Sequence, residues 1–360
     1  MPSRRVIHLS RAKDASDGGV ATAVSELIRH QNLLTSVDAN WHTSSEYRSL
    51  DPIIRSSCPH VLHVHGLWSS PNRAASRLHD SYPVVVAPHG MLDPWAFAHH
   101  RRRKRLLWWL YESRLLQHAS AIHALCQSEL RSIRSLNITS PIALIPNGVE
   151  LPSPSSSLPD PVWSGVIPSG APVLLFLGRF HEKKGIQPLI EAWRSIQPDV
   201  RDSGWWLAFV GYGDNGQLRS QLSEHPLAQT VVCDAVFDQL KQATLSSASA
   251  FILPSFSEGL PMAALEAMAY RLPCLLSDAC NIPDAFTVGA AMRSDPDPAS
   301  LAIALRHLFS LNPNQRAQMG SAAFNLVSSR YSWSRVVHQT VELYDWIIDE
   351  GPMPPFVSLA

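Results

Sequence analysis

Two short segments carry side chains suited to phosphate and sugar-hydroxyl chemistry. The first is Gly178-Arg179-Phe180-His181-Glu182-Lys183-Lys184-Gly185. Arg179 and Lys184 lie on a loop bounded by glycines, so a planar guanidinium fork and a movable ammonium can close on a phosphate pair. The second runs Ser255-Phe256-Ser257-Glu258-Gly259-Leu260-Pro261-Met262-Ala263-Ala264-Leu265-Glu266-Ala267-Met268. A helix is expected to open near Pro261, because proline is favoured at the first helical position and the first amides of a helix bind anions. The backbone from Gly259 and Leu260 through Pro261 to Met262 would then cradle a diphosphate. Glu266 stands alone in an Ala/Leu/Met helix that should be buried, and a buried carboxylate needs a hydrogen-bonding partner. A ribose offers two hydroxyls. The plainer alternatives are that Glu258 caps the helix, that Glu266 pairs with a neighbouring arginine, and that the basic loop is a solvated turn.

The elements that must position these groups are legible as apolar runs. Arg5–Leu9, Val61–His65, Pro83–Pro88, Ala121–Leu125 and Ile142–Ile145 read as short buried strands, with helices between them. After a Pro/Ser-rich stretch the alternation restarts with Val173–Leu177, Trp206–Val210, Ala250–Leu253 and Cys274–Leu276. Continuous apolar strands alternating with helices indicate α/β units with parallel sheets covered on both faces. The expected organisation is a first domain over 1–150, a linker over 151–170, a second domain over 171–333, a helix over 334–350 crossing back to the first domain, and a tail over 351–360. In such sheets ligands sit at the carboxyl ends of strands, which is where both segments fall.

Composition narrows the class. The chain has 360 residues, 45% of them apolar and 17% charged, as in a folded globular protein. Its 30 cationic and 30 anionic residues are unevenly spread, with 17 Lys/Arg against 12 Asp/Glu in residues 1–160 and 13 against 18 beyond. That balance gives no argument for nucleic acid. Five cysteines without a C-x-x-C pair suit a reducing, cytoplasmic setting. No apolar run reaches the roughly 18 residues of a membrane span.

The segments around Arg179, Lys184, Glu258 and Glu266 resemble those of the retaining family-4-type glycosyltransferases, formerly called glycosyl transferases group 1. The Gly18-Gly19 loop, His89-Gly90-Met91-Leu92-Asp93-Pro94-Trp95 and Ile145-Pro146-Asn147-Gly148-Val149 match in order, so the resemblance covers most of the chain. The His89–Trp95 segment is similar to a branch that builds bacterial surface polysaccharides. The resemblance implies the GT-B architecture, two Rossmann-like domains facing each other across a cleft. It also implies a nucleotide-sugar donor and transfer of a hexosyl group, with retention, to a glycan or lipid-linked acceptor. Arg179 and Lys184 match the pair on the donor diphosphate, Glu258 the carboxylate at the transferred sugar, and Glu266 the one at the ribose. His89 matches the first-domain histidine near sugar and phosphate, and Gly18 and Gly19 the loop that closes over the diphosphate. No cofactor and no metal are expected, since cations and amides can carry the leaving-group charge. One departure stands out: Asp234-Ala235-Val236-Phe237-Asp238, followed by Lys241, replaces the usual Gly-Pro-Val-Phe-Gly beside the nucleotide base. The alternatives are a sugar-nucleotide epimerase of the same fold and a catalytically silent nucleotide-sugar-binding protein.

Other signals carry less. Asp295-Pro296-Asp297 has the D-x-D form of a metal–diphosphate motif but reads as turn chemistry. His63 and His65 share a strand face with no third ligand nearby, which reads as packing or cleft lining. Arg101, Arg102, Arg103, Lys104 and Arg105 lead into Leu106-Leu107-Trp108-Trp109-Leu110-Tyr111. This run offers a surface for an anionic membrane on the cytoplasmic face, for an acidic acceptor, or for solvent alone.

Overall fold

In a computed structural model, which describes residues 3–13, 19–46, 49–98, 101–152 and 157–359, the chain forms two compact units. One comprises Met1–Gly148 with Tyr331–Ala360, the other Val149–Arg330. The first holds a seven-stranded sheet of β1 (Arg4–Ser10), β2 (Val37–Thr43), β3 (Val61–His65), β4 (Val84–Ala87), β5 (Ala121–Ala124), β6 (Ile142–Leu144) and β13 (Val357–Ser358). Their order is β13-β6-β5-β4-β3-β1-β2, parallel except for the antiparallel β13. The residues expected as a tail thus supply an edge strand. The second unit holds β7 (Val173–Phe180), β8 (Trp206–Gly213), β9 (Thr230–Asp234), β10 (Ala250–Leu253), β11 (Cys274–Leu276) and β12 (Ala291–Arg293), in the order β12-β11-β10-β7-β8-β9.

The two sheets turn at different places. In the first, β1 lies between β2 and β3, and in the second β7 lies between β8 and β10. Counted within its own unit, the second order is the doubly wound 3-2-1-4-5-6 arrangement, whose crevice opens at the carboxyl ends of β7 and β10. Central strands are buried on both faces: β3, β4, β5 and β10 contain no exposed residue. The first core gathers Leu9, Leu62, Val64, Val86 and Ile122 from the strands, with Ile54, Leu78, Leu115 and Leu116 from the covering helices. Burying a leucine or isoleucine of this kind contributes roughly 1.5–3 kcal/mol.

The boundary stretch is more built than its composition implied. Residues after Gly148 belong to the second unit, where Trp163 and Ile167 are buried. The helix Trp333–Ile347 belongs to the first unit and buries Trp333, Val336, Val337, Thr340, Leu343 and Tyr344. Gly148 admits it closely, because a Cβ there would stand 2.3 Å from the Trp333 ring. Among the described residues all five cysteines are free, and no helix is long and apolar enough to cross a membrane.

Candidate active site

The two segments singled out in the second unit meet at its topological switch point. Gly178 and Arg179 close β7, and a 3₁₀ turn over Glu182–Lys184 follows, ending on Gly185 in the left-handed region at φ 68°. Gly185 passes so close to the loop after β10 that an added Cβ would lie 1.9 Å from the Pro254 carbonyl oxygen. Only glycine fits both the conformation and the space. The approach is fixed further by the Phe256 amide, which donates to the Lys183 carbonyl at 2.7 Å. Lys184 Nζ then reaches Glu258 Oε1 at 2.6 Å.

Glu258 sits almost out of water, and Ser255 Oγ donates to the same oxygen at 2.6 Å. Burial alone would raise its carboxyl pKa. The charges of Lys184 and Lys183 and the hydrogen bonds from Lys184 and Ser255 outweigh burial and hold it below the usual range. Glu258 therefore stays ionised, and it braces Lys184 rather than capping the helix. Asn281 Nδ2 donates to the Glu258 and Gly259 carbonyls, while Ser277 Oγ donates to the Ser255 carbonyl. Neither Asn281 nor Ser277 stood out in the sequence, since both belong to a polar stretch of ordinary turn composition.

The helix after this loop runs Met262–Ala269, and Pro261 is its extended N-cap at ψ 114° rather than its first helical residue. Proline carries no N–H, so Pro261 shapes the entry but donates nothing to an anion. Glu266, on this helix, accepts from Lys241 Nζ at 2.6 Å, so its partner is a lysine and not an arginine. Lys241 stands on the helix Asp238–Ser247, directly after the departure noted at 234–238, beside a largely exposed Phe237. The Arg179 side chain is exposed and has no hydrogen-bond or ion-pair partner among the described residues.

In the first unit, His89 follows β4 in the left-handed region at φ 53°, and Gly90 continues at φ 76°. Glu129 fixes this turn by accepting from the Gly90 amide at 2.6 Å and the Leu125 amide at 2.8 Å. Burial raises the Glu129 carboxyl to about 7, against the pull of those two amides. His89 Nε2 meets His65 Nδ1 at 3.0 Å. Gly19 opens the helix Gly19–Gln31, where an added Cβ would meet nothing within 4 Å among the described residues, while Gly18 lies outside them. Asp297 of the D-x-D form caps the helix Pro298–Ser310, accepting from the Ala299 and Ser300 amides, which is a turn role.

Known proteins share this layout. Residues 8–148 match the glycosyl transferase 4-like domain and residues 162–326 the model described as glycosyl transferases group 1. The chain is 25% identical over 309 residues to the alpha-maltose-1-phosphate synthase of Mycolicibacterium smegmatis, covering 79% of this chain and 78% of that one. It is 30% identical over 220 residues to the phosphatidyl-myo-inositol mannosyltransferase of Mycobacterium tuberculosis, covering 58% and 54%. The solved sucrose-phosphate synthase of Thermosynechococcus elongatus has the same fold, with a TM-score of 0.78 at 17% identity over 96% of this chain and all of that one. With both halves matched in order and the GT-B fold in common, the chain belongs to the group 1 glycosyltransferases.

Proposed function

We propose that the protein is a retaining, metal-independent hexosyltransferase that moves a sugar from a nucleotide-sugar donor to a glycan or lipid-linked acceptor in surface-polysaccharide synthesis. The observation that carries this reading is the Lys184–Glu258 pair, held where β7 and β10 part. The acceptor hydroxyl oxygen bonds to the anomeric carbon as the C–O bond to the diphosphate breaks. The acceptor proton leaves with the released nucleotide diphosphate. Negative charge grows on the leaving group, and Arg179 with Lys184 answers it, aided by backbone around Gly259, Leu260 and Met262. Glu258 orients the sugar and braces Lys184, Glu266 holds the ribose, and the Gly18-Gly19 loop covers the diphosphate. His89 meets a hydroxyl of the sugar. No metal is required in this scheme, because fixed cations do its work.

The relatives' names include a mannosyltransferase, which supports transfer of a hexosyl group. We further propose that the helix carrying Arg102, Arg103 and Arg105 rests on the cytoplasmic face of an anionic membrane. The reading is tested by incubating EDTA-treated protein with UDP-, GDP-, ADP- and dTDP-sugars and following transfer or hydrolysis. Turnover of one donor and a product of unchanged anomeric configuration are expected. Loss of turnover on chelation, restored by Mg²⁺ or Mn²⁺, would defeat the metal-independent part, and an inverted product would defeat retention.

A further inference from the structure

Five histidines of the first unit form a connected group, of which the proposed transfer chemistry uses one. His8 on β1 lies in register with His63 on β3, His65 shares the face of His63, and His123 projects from β5. Gln31 and Tyr344 complete the group from two helices. Gln31, His8, His63 and Tyr344 are wholly buried, and His65 and His123 nearly so.

The direction of every hydrogen bond follows from one end. The Ile145 carbonyl can only accept, so His123 donates to it from Nε2 at 2.8 Å and keeps Nδ1 as a lone pair. His63 must then donate from Nε2 to His123 Nδ1 at 3.3 Å. Its own Nδ1 accepts from the Tyr344 hydroxyl at 2.7 Å. The Tyr344 oxygen accepts from the Gln31 amide nitrogen at 3.2 Å. Gln31 Oε1 accepts from His8 Nε2 at 2.8 Å, and His8 Nδ1 accepts from His65 Nε2 at 2.9 Å. The last link leaves His65 Nδ1 accepting from His89 Nε2 at 3.0 Å. Reversing any one link would set two lone pairs or two N–H groups against each other, and every link but the part-buried last one is buried. His89 therefore carries its proton on Nε2. Its Nδ1 is a bare acceptor with no hydrogen-bond partner among the described residues.

We propose that His123, His63, Tyr344, Gln31, His8 and His65 form a positioning relay that fixes the tautomer of His89, so that His89 accepts from a ligand hydroxyl and does not donate to a phosphate oxygen. The choice of ligand rests on the proposed transfer reaction; the tautomer does not. All the rings are neutral, as the relay requires. Burial pushes His8 and His123 down to about 4 and His89 to about 3, and it holds His63 and His65 well below their ordinary value. His8 on the neighbouring strand supplies the third nitrogen that the sequence did not place near His63 and His65, all within 4.8 Å of one another, so a metal would compete for the same lone pairs.

The test is long-range ¹H–¹⁵N correlation on the full chain labelled with ¹⁵N-histidine, with His89→Gln used for assignment. A single Nε2–H tautomer is expected for all five histidines. Tyr344→Phe touches neither His65 nor His89, yet it frees the Gln31 amide to turn over. His8, His65 and His89 should then populate the Nδ1–H form as well. Gln31→Leu cuts the relay at the next link and should do the same if the first variant does not fold. An Nδ1–H or mixed His89 in the wild type would overturn the proposal. So would an unchanged His89 in a folded variant, or stoichiometric Zn²⁺ binding that shifts His8, His63 and His65. None of these readouts depends on turnover, so the relay and the transfer reaction fail separately.

Discussion

Arg179 and Lys184 are chemically similar cations in different settings, and that difference should separate their variants. Lys184 is largely buried against Glu258, whereas Arg179 is exposed. Interactions that strengthen as leaving-group charge develops raise kcat, so Arg179→Ala and Lys184→Ala should each lower it roughly 10²–10³-fold. Removing Lys184 also strands a buried carboxylate, at a cost of about 3–5 kcal/mol in stability. Arg179→Ala should stay within about 0.5 kcal/mol of wild type. On the proposed ribose role, Glu266→Gln should raise the donor KM more than it lowers kcat, because such a contact is alike in ground and transition states. Steady-state kinetics and thermal melts on the three variants decide the matter. If both cation variants keep wild-type kcat, the clamp does not exist and the Lys184–Glu258 pair is structural only.

Among the elements, the helical segment from Arg101 to His118 has a distinct build. Its middle, Trp108–Glu112, is a π-turn, which rotates the following residues relative to a regular helix. Trp108 packs beside Trp68 and Phe97, while Leu106, Trp109 and Leu110 remain 56%, 80% and 54% exposed. The basic run divides in the same way. Lys104 turns inward, donating to the Ala96 carbonyl and lying 5.9 Å from the Trp68 ring, and burial lowers its pKa. Arg102, Arg103 and Arg105 face solvent. The side chain of Arg101 lies outside those described. The outward surface thus combines three arginines with an exposed tryptophan, the composition of an interfacial helix. Each arginine near an anionic surface contributes about 1 kcal/mol, so replacing all three with alanine should weaken binding to phosphatidylserine vesicles roughly 10²-fold. Co-sedimentation at low and high salt measures this. Equal binding to neutral vesicles, or none to anionic ones at low salt, would remove the membrane reading.

For the whole molecule, buried ionisable groups of the first unit set opposing pH dependences. The five relay histidines titrate far below their ordinary value of 6.5. Below pH 6.5 the unfolded chain takes up protons that the folded unit refuses. Stability present above pH 6.5 is therefore lost as pH falls toward about 4, at about 1.4 kcal/mol per pH unit for each histidine fully engaged. Glu129 and Glu112 act in the other direction. Burial raises them to about 7 and about 8, despite the Gly90, Leu125 and Trp68 amides that favour the carboxylates. Between pH 4.5 and those values the folded unit keeps protons that the unfolded chain has lost, so their contribution falls as pH rises. Five groups outweigh two below pH 6.5, and the two glutamates dominate just above it. Thermal melts across pH 5–8.5 should give the highest Tm near pH 6.5, with the steeper fall on the acid side. A flat profile, or a maximum at pH 5, would show that the histidines are not buried neutral.

The sequence by itself determined the α/β class and the two-unit organisation, and it marked the strand ends that carry the candidate site. Strands buried on both faces must be continuous apolar runs, and a lone Glu266 in an apolar helix is visible against that background. The strands it left unread are β2, β9, β12 and β13, which are the four sheet edges. An edge strand meets solvent along one side and needs no continuous apolar run, so Val37–Thr43 interleaves Asp38, Asn40 and His42 with Val37, Ala39 and Trp41. Trp163 and Ile167 were likewise hidden in a Pro/Ser-rich stretch that composition assigns to a linker. Tertiary structure alone decided the partners. Lys184 and Glu258 are 74 positions apart and meet because β7 and β10 are neighbours across the switch point, with Gly185 clearing the approach. Gln31 and Tyr344 are 313 positions apart and meet because the last helix belongs to the first unit. Local periodicity records which face of an element avoids water, but a hydrogen bond between elements depends on strand order and register. Those are properties of the assembled sheets and leave no repeat in the chain.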